Sequence, residues 1–120
     1  MEVLVIDDNR DITDAISLFF QSQDIVCEVA NKGKEGLEAI RKKNHDLVIL
    51  DIAMPEFSGH DVVNSLNEDG VLKTKNVVIL TASNLIQHSI SDMLALGIKE
   101  VMKKPLSLDE LQGIVDRFRN

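Results

Sequence analysis

A doubly wound α/β fold with a five-stranded parallel sheet is predicted by three observations: five short apolar runs rich in Val, Ile and Leu, a helical stripe after each run, and a length of 120 residues. Near-continuous apolar runs suit strands covered on both faces, and strands alternating with helices suit parallel pairing through crossovers. A barrel of eight such units needs roughly 200 residues or more, so length excludes it. A flavodoxin-like strand order, 2-1-3-4-5 with helices on both faces, accommodates five units and sets strands 1 and 3 side by side at the topological switch point.

The elements follow in order. Val3 to Ile6 forms the first strand and ends on Asp7-Asp8; Ile12, Ile16, Phe19 and Phe20 then recur at helical spacing. Val26 to Ala30 reads as the second strand, and 33–43, with Leu37 and Ile40 on one face, as the second helix. The third strand, 46–51, leads through a turn-rich loop from Met54 to Gly59 into a helix carrying Val62, Val63 and Leu66. A fourth strand at 76–81 precedes a stripe of Ile86, Ile90, Met93 and Leu94 that Gly97 terminates, and a short fifth strand from Val101 runs into Lys104-Pro105. Ser107 and Glu110 have capping-box spacing at the start of the last helix, whose buried stripe is expected at Leu108, Leu111, Val115 and Phe118. The five units use residues 1–120, which are expected to form a single domain with no output domain.

Composition narrows the function classes. Twenty acidic residues against 13 basic ones leave a net charge of −7, which repels a phosphate backbone and argues against direct nucleic-acid binding. Cys27 is the only cysteine, so no internal disulfide forms, and its context suits an inert thiol in a core strand. The apolar run before Asp7 is too short for a signal peptide and nothing approaches a membrane span, so a cytoplasmic address is expected. His45, His60 and His88 show no metal-ligand spacing and are expected to face solvent without a role.

In a parallel sheet the strand tips converge, and ligands of open α/β sheets bind beyond those carboxyl ends. Asp7, Asp8, Asp51, Thr81 and Lys104 all stand at predicted tips. Taken singly, a strand-end Asp is more often a helix cap, a Thr a turn hydroxyl and a Lys a surface charge; the joint pattern reverses those readings. Three carboxylates in one crevice repel by roughly 4 kcal/mol per close pair at an effective dielectric of 20. Lys104 answers part of that, and a hard divalent cation, Mg²⁺ or Mn²⁺, answers it better, sharing its remaining positions with phosphate oxygens. Asp51 can then act as a nucleophile on phosphorus, with the Thr81 hydroxyl offered to the phosphoryl group.

These residues resemble the receiver domains of two-component response regulators, the CheY-like family. The likeness covers the full chain: Asp7-Asp8 after strand 1, Asp51 with Met54-Pro55 and Gly59 behind it, Thr81-Ala82 after strand 4, and Lys104-Pro105 after strand 5. It implies that Asp51 accepts a phosphoryl group from a phosphohistidine of a sensor histidine kinase or histidine phosphotransfer protein. It also implies Mg²⁺ held by Asp8, Asp51 and the main-chain carbonyl of Ala53, Asp7 orienting metal waters, Lys104 and Thr81 binding phosphoryl oxygens, and a cis Lys104-Pro105 peptide. Output to a protein target is implied through helix 4, strand 5 and helix 5, near His88, Lys99, Val101 and Lys103.

Two departures bear on mechanism. Val101 stands where the family often has an aromatic ring, which points to output through displacement of the loop from Thr81 to Leu85. Ala53 and Ser83 occupy positions that influence water access to the acyl phosphate. The alternatives are a pseudo-receiver that binds partners without phosphorylation and a haloacid-dehalogenase-type phosphatase. The first normally lacks one of the acids or the Lys, all present here; the second needs a further acid two residues after its nucleophile, where this chain has Ala53. A flavin site is disfavoured by the absence of Trp and Tyr.

Overall fold

A computed structural model describes residues 1–82 and 87–119, the side chains of 87 and 88 excepted. The elements are β1 (Glu2–Ile6), α1 (Arg10–Gln21), β2 (Val26–Ala30), α2 (Gly33–Lys42), β3 (Leu47–Asp51), α3 (Gly59–Glu68), a 3₁₀ turn (Leu72–Thr74), β4 (Val77–Thr81), α4 (Gln87–Leu96), β5 (Glu100–Lys103) and α5 (Leu108–Phe118). All strand pairs are parallel and the sheet order is β2-β1-β3-β4-β5, as the alternation predicts.

Each apolar run is divided between two cores by the two-residue period of a strand. Leu4, Ile6, Val48, Leu50, Val77 and Ile79 face α2, α3 and α4, meeting Leu37, Ile40, Val62, Leu66 and Met93. Val3, Val5, Leu47, Ile49, Val78 and Leu80 face α1 and α5, meeting Ile16, Phe20, Leu111, Ile114 and Val115. Every residue of β3 and β4 is buried. Fully burying a Val, Leu or Ile contributes roughly 1.5–3 kcal/mol, so these runs hold the sheet together against the charge at its tips.

Several sequence expectations change. Leu108 is 65% exposed, because the first turn of α5 stands past the strand tips; Ile114 takes its place in the buried stripe, and Phe118 is half-buried. Leu94 is also largely exposed, since α4 packs inward through Met93. His45 is buried, with Nε2 2.8 Å from Glu28 Oε1 and Nδ1 without a hydrogen-bond partner, whereas His60 is exposed as expected. The contact joins the segment just before β3 to the middle of β2. Cys27 is half-buried on an edge strand rather than in the core, and burial pushes its thiol pKa up, which keeps it unreactive. Ile86 and the side chain of His88 lie outside the described residues.

Gly59 opens α3 directly beneath the end of β3, where its amide donates to the Ile52 carbonyl at 3.0 Å. A Cβ there would collide with the Asp51 carbonyl oxygen and lie 2.6 Å from Ile52 Cα. Both obstacles are backbone and cannot rotate away. Gly59→Ala is expected to destabilise the fold by about 2–3 kcal/mol, read as a lower urea midpoint with an unchanged m-value.

Candidate functional site

The parallel register sets the site. Ile6 is level with Leu50 and Asp51 with Leu80, so Asp7 and Asp51 stand at the same height on adjacent strands and Thr81 one residue beyond them on β4. Thr81 is in turn level with Lys103, and the Lys104 amide donates to the Thr81 carbonyl at 2.8 Å, bringing the Lys104 side chain over the tips. The Lys104-Pro105 peptide is cis, as the resemblance implies. The structure thus gathers Asp7, Asp8, Asp51, Thr81 and Lys104 at one edge, with Ala53 two residues past Asp51.

The three acids differ in setting. Asp7, Asp51 and Thr81 are buried, while Asp8 is exposed at the mouth of the pocket. One carboxylate oxygen from each acid lies within 4.8 Å of the others. Lys104 Nζ is 2.7 Å from Asp7 Oδ2 and 3.4 Å from Asp51 Oδ1. The first approach is ionic rather than a directional hydrogen bond, so the buried Asp7 Oδ2 has no aligned donor. Asp51 Oδ1 also accepts a long 3.4 Å hydrogen bond from the Ala53 amide.

Burial, followed by the neighbouring Asp7 carboxylate, pushes the Asp51 pKa up from 3.8 to about 6, against the opposing pull of Lys104 and the Ala53 amide. Burial pulls the Lys104 ammonium down, yet Asp7 and Asp51 together outweigh it and its pKa is raised. With three carboxylates and one ammonium the pocket carries a formal surplus of two negative charges. Its donor set is all oxygen and open on the Asp8 side. That fits a hard divalent cation.

Sequence reasoning missed the residues that leave these acids available. Asn9 caps α1, its side chain accepting from the Asp11 and Ile12 amides, so neither Asp7 nor Asp8 serves as the cap. Asn31, at the tip of β2, donates to the Asp7 carbonyl at 2.8 Å and to the buried Thr13 hydroxyl at 3.1 Å, fixing the height of Asp7. Their signal was present: Asn31 also follows a strand, and Asn9 directly precedes a helical stripe.

A family model, the response regulator receiver domain, matches residues 3–116. The chain belongs to the response regulator receiver family. It is 34% identical to the transcriptional regulatory protein DltR of Streptococcus agalactiae over 92% of the chain and 48% of that protein. It is 28% identical to the sensor histidine kinase AtsR of Burkholderia thailandensis over the whole chain and 20% of that protein. The chain therefore spans half or less of these curated relatives. Among solved structures, a Francisella response regulator receiver domain superposes with a TM-score of 0.85 at 32% identity, covering 98% of this chain and 94% of that one. The response regulator TrrA of Thermotoga maritima, solved in complex with Mg²⁺-BeF, gives 0.79 at 30% identity, covering 98% and 97%. The chain is a receiver domain of two-component signalling, a family that binds Mg²⁺ at an acidic pocket and is phosphorylated by sensor histidine kinases. No helix among the described residues is long and apolar enough to cross a membrane.

Two outcomes test the receiver pocket. Because folding raises the Asp51 pKa, the folded state holds a proton that the unfolded state has released between pH 3.8 and about 6. Metal-free stability therefore falls as pH rises through that window, by at most about 3 kcal/mol at roughly 1.4 kcal/mol per unit. Asp51→Asn should remove this component, read from urea midpoints between pH 4 and 7. Separately, Asp8→Ala should raise the metal-free melting temperature by one or two degrees, on the order of 0.5 kcal/mol for an exposed charge, and should blunt the rise that millimolar Mg²⁺ produces in the wild type.

Proposed function

We propose that this receiver is a Mg²⁺-dependent phospho-acceptor: Asp51 takes a phosphoryl group from a phosphohistidine, and the modified domain changes its protein contacts. The observation that carries the reading is a buried Asp51 carboxylate crowded by two further acids, with a lysine ammonium aimed into the same pocket. Asp7, Asp8, Asp51 and the Ala53 carbonyl would hold Mg²⁺, or Mn²⁺, which supplies positive charge for the phosphoryl oxygens.

An oxygen of ionised Asp51 forms a bond to phosphorus as the phosphorus–nitrogen bond of the donor breaks, and the electron pair leaves on the imidazole nitrogen. Lys104, already between Asp7 and Asp51, needs only to swing a short way to meet a phosphoryl oxygen. The Thr81 hydroxyl donates to another. Burial of Asp7, Asp51 and Thr81 strengthens these interactions by excluding water. The reaction modifies the domain itself, so it is an acceptor with its own phosphorylation and hydrolysis chemistry rather than an enzyme turning over a separate substrate.

Beside Lys104 lies an apolar groove of about 240 Å³ lined by Ile12, Ala15, Leu106, Leu108 and Leu111. It would seat an apolar helical face of the kinase or histidine phosphotransfer protein, bringing the phosphohistidine to the pocket. We assign output to the surface of α4, β5 and α5. Val101 is half-buried there against the α2–α4 core, Glu100 pairs with Arg117 at 2.8 Å, and Lys99 Nζ donates to the Lys73 carbonyl at 3.0 Å. The loop expected to move, with Ser83, lies largely outside the described residues.

Incubation with Mg²⁺ and a small acyl phosphate should add one phosphoryl mass to the wild type and none to Asp51→Asn in intact-mass spectra. Lys104→Ala should slow this gain by about 10- to 100-fold. A mass gain in Asp51→Asn would remove Asp51 as the acceptor. The exposed Ala53 side chain borders the path of water to the acyl phosphate, so Ala53→Asn is expected to change the phosphorylated lifetime, followed as decay of that mass.

A further inference from the structure

The sheet has two edges, and they are unequal. β5 is half-buried over Glu100–Met102, whereas β2 is largely exposed: Val26 is 61% and Val29 38% accessible. Among the described residues β2 pairs with β1 alone. Its ladder is bracketed by the Val26 amide donating to Met1 and the Asp7 amide donating to Ala30, each at 3.1 Å. Residues 26, 28 and 30 therefore direct their peptide groups at β1, and the alternation of a parallel ladder turns those of Cys27 and Val29 outward. Two N–H and two C=O groups line an open edge between exposed β-branched side chains.

Charge along this edge is mainly acidic. A groove of about 210 Å³ runs between β2 and α2, bordered by Glu28, Glu35, Glu38 and Lys42. We propose that β2 receives an extended, lysine- or arginine-bearing segment of another protein as a sixth strand, with its basic side chains over the α2 groove. Main-chain pairing supplies the attachment and the three carboxylates select the partner. A second copy of this chain is a poor occupant. The antiparallel two-fold register that uses both outward peptide units sets Cys27 opposite Val29, and puts Glu28 directly opposite its own copy in the closely spaced pair, about 4.5 Å between Cα atoms. Like charges there oppose self-pairing and favour a strand of opposite sign. The outward peptide groups of Cys27 and Val29 lie short of the β2 tip that meets Asp7, so docking does not require phosphorylation.

The test titrates the ¹⁵N-labelled chain with an alternating lysine–valine peptide, acetyl-Lys-Val-Lys-Val-Lys-Val-Lys-amide, following amide shifts and hydrogen exchange. Strand addition predicts shifts centred on residues 27 and 29 and at least about fivefold slower exchange of those two amides at saturation. The same peptide N-methylated at alternate residues keeps its charge but cannot pair, and should leave both amides unprotected. Glu35→Lys with Glu38→Lys, both exposed on α2, should weaken the basic peptide by about tenfold. Equal binding of the N-methylated peptide, or shifts centred elsewhere, would reduce the effect to general attraction toward a chain of net charge −7 and overturn the proposal. Protection of residues 27 and 29 that rises with protein concentration in the absence of peptide would overturn it in favour of a second copy.

Discussion

Charge crowding at the C-terminal edge of the sheet is the constraint around which the remaining structure is arranged. Asp7 and Asp51 are buried on neighbouring strands, and among the described residues only one ammonium, Lys104, reaches both. Alone, that arrangement opposes folding. It persists because β1, β3 and β4 bury apolar side chains on both faces, so that moving Asp7 away from Asp51 would mean shifting a strand through two packed cores. The hydrophobic effect thus maintains an electrostatic imbalance that a cation can relieve. Asp51 held at a pKa of about 6 expresses the same imbalance in protons.

Small polar residues take over part of the structural work at the strand tips. A strand-end aspartate next to a helix start would ordinarily cap it, and here Asn9 performs that task for α1. The Asn31 amide holds the Asp7 main chain while leaving its carboxylate to face the pocket. Gly59 lets α3 begin against the carbonyl of Asp51, so the loop behind Asp51 closes tightly. Each device positions the backbone, while Asp7 Oδ1 accepts from the Asn9 amide at 3.0 Å and Asp7 Oδ2 meets Lys104.

The strand tips and the β2 edge follow different rules. At the strand tips, buried charge is concentrated and the surrounding walls are apolar, as in the groove beside Lys104. Along β2 the backbone itself is open and the nearby charge is exposed, which suits weak, sequence-tolerant association through main-chain pairing. His45 and Glu28 meet at the lower end of that edge, a contact between residues of unrelated motifs.

The strand-helix alternation, the strand order and the tip residues were legible from the chain because apolar periodicity and strand ends are local properties. A five-residue run reports its own burial whatever it packs against, and its last residue lies at the tip once pairing is parallel. Tertiary structure decided the rest. That Asp7 is buried and Asp8 exposed depends on which of two adjacent residues faces the crevice; that His45 is covered depends on Glu28 arriving from another strand. Leu108 and Leu94 fit a helical stripe, yet α5 starts above the sheet and α4 packs through a narrow face, so both remain exposed. Sequence pattern determines which face of an element is apolar; only the packed chain determines how much of that face finds a neighbour.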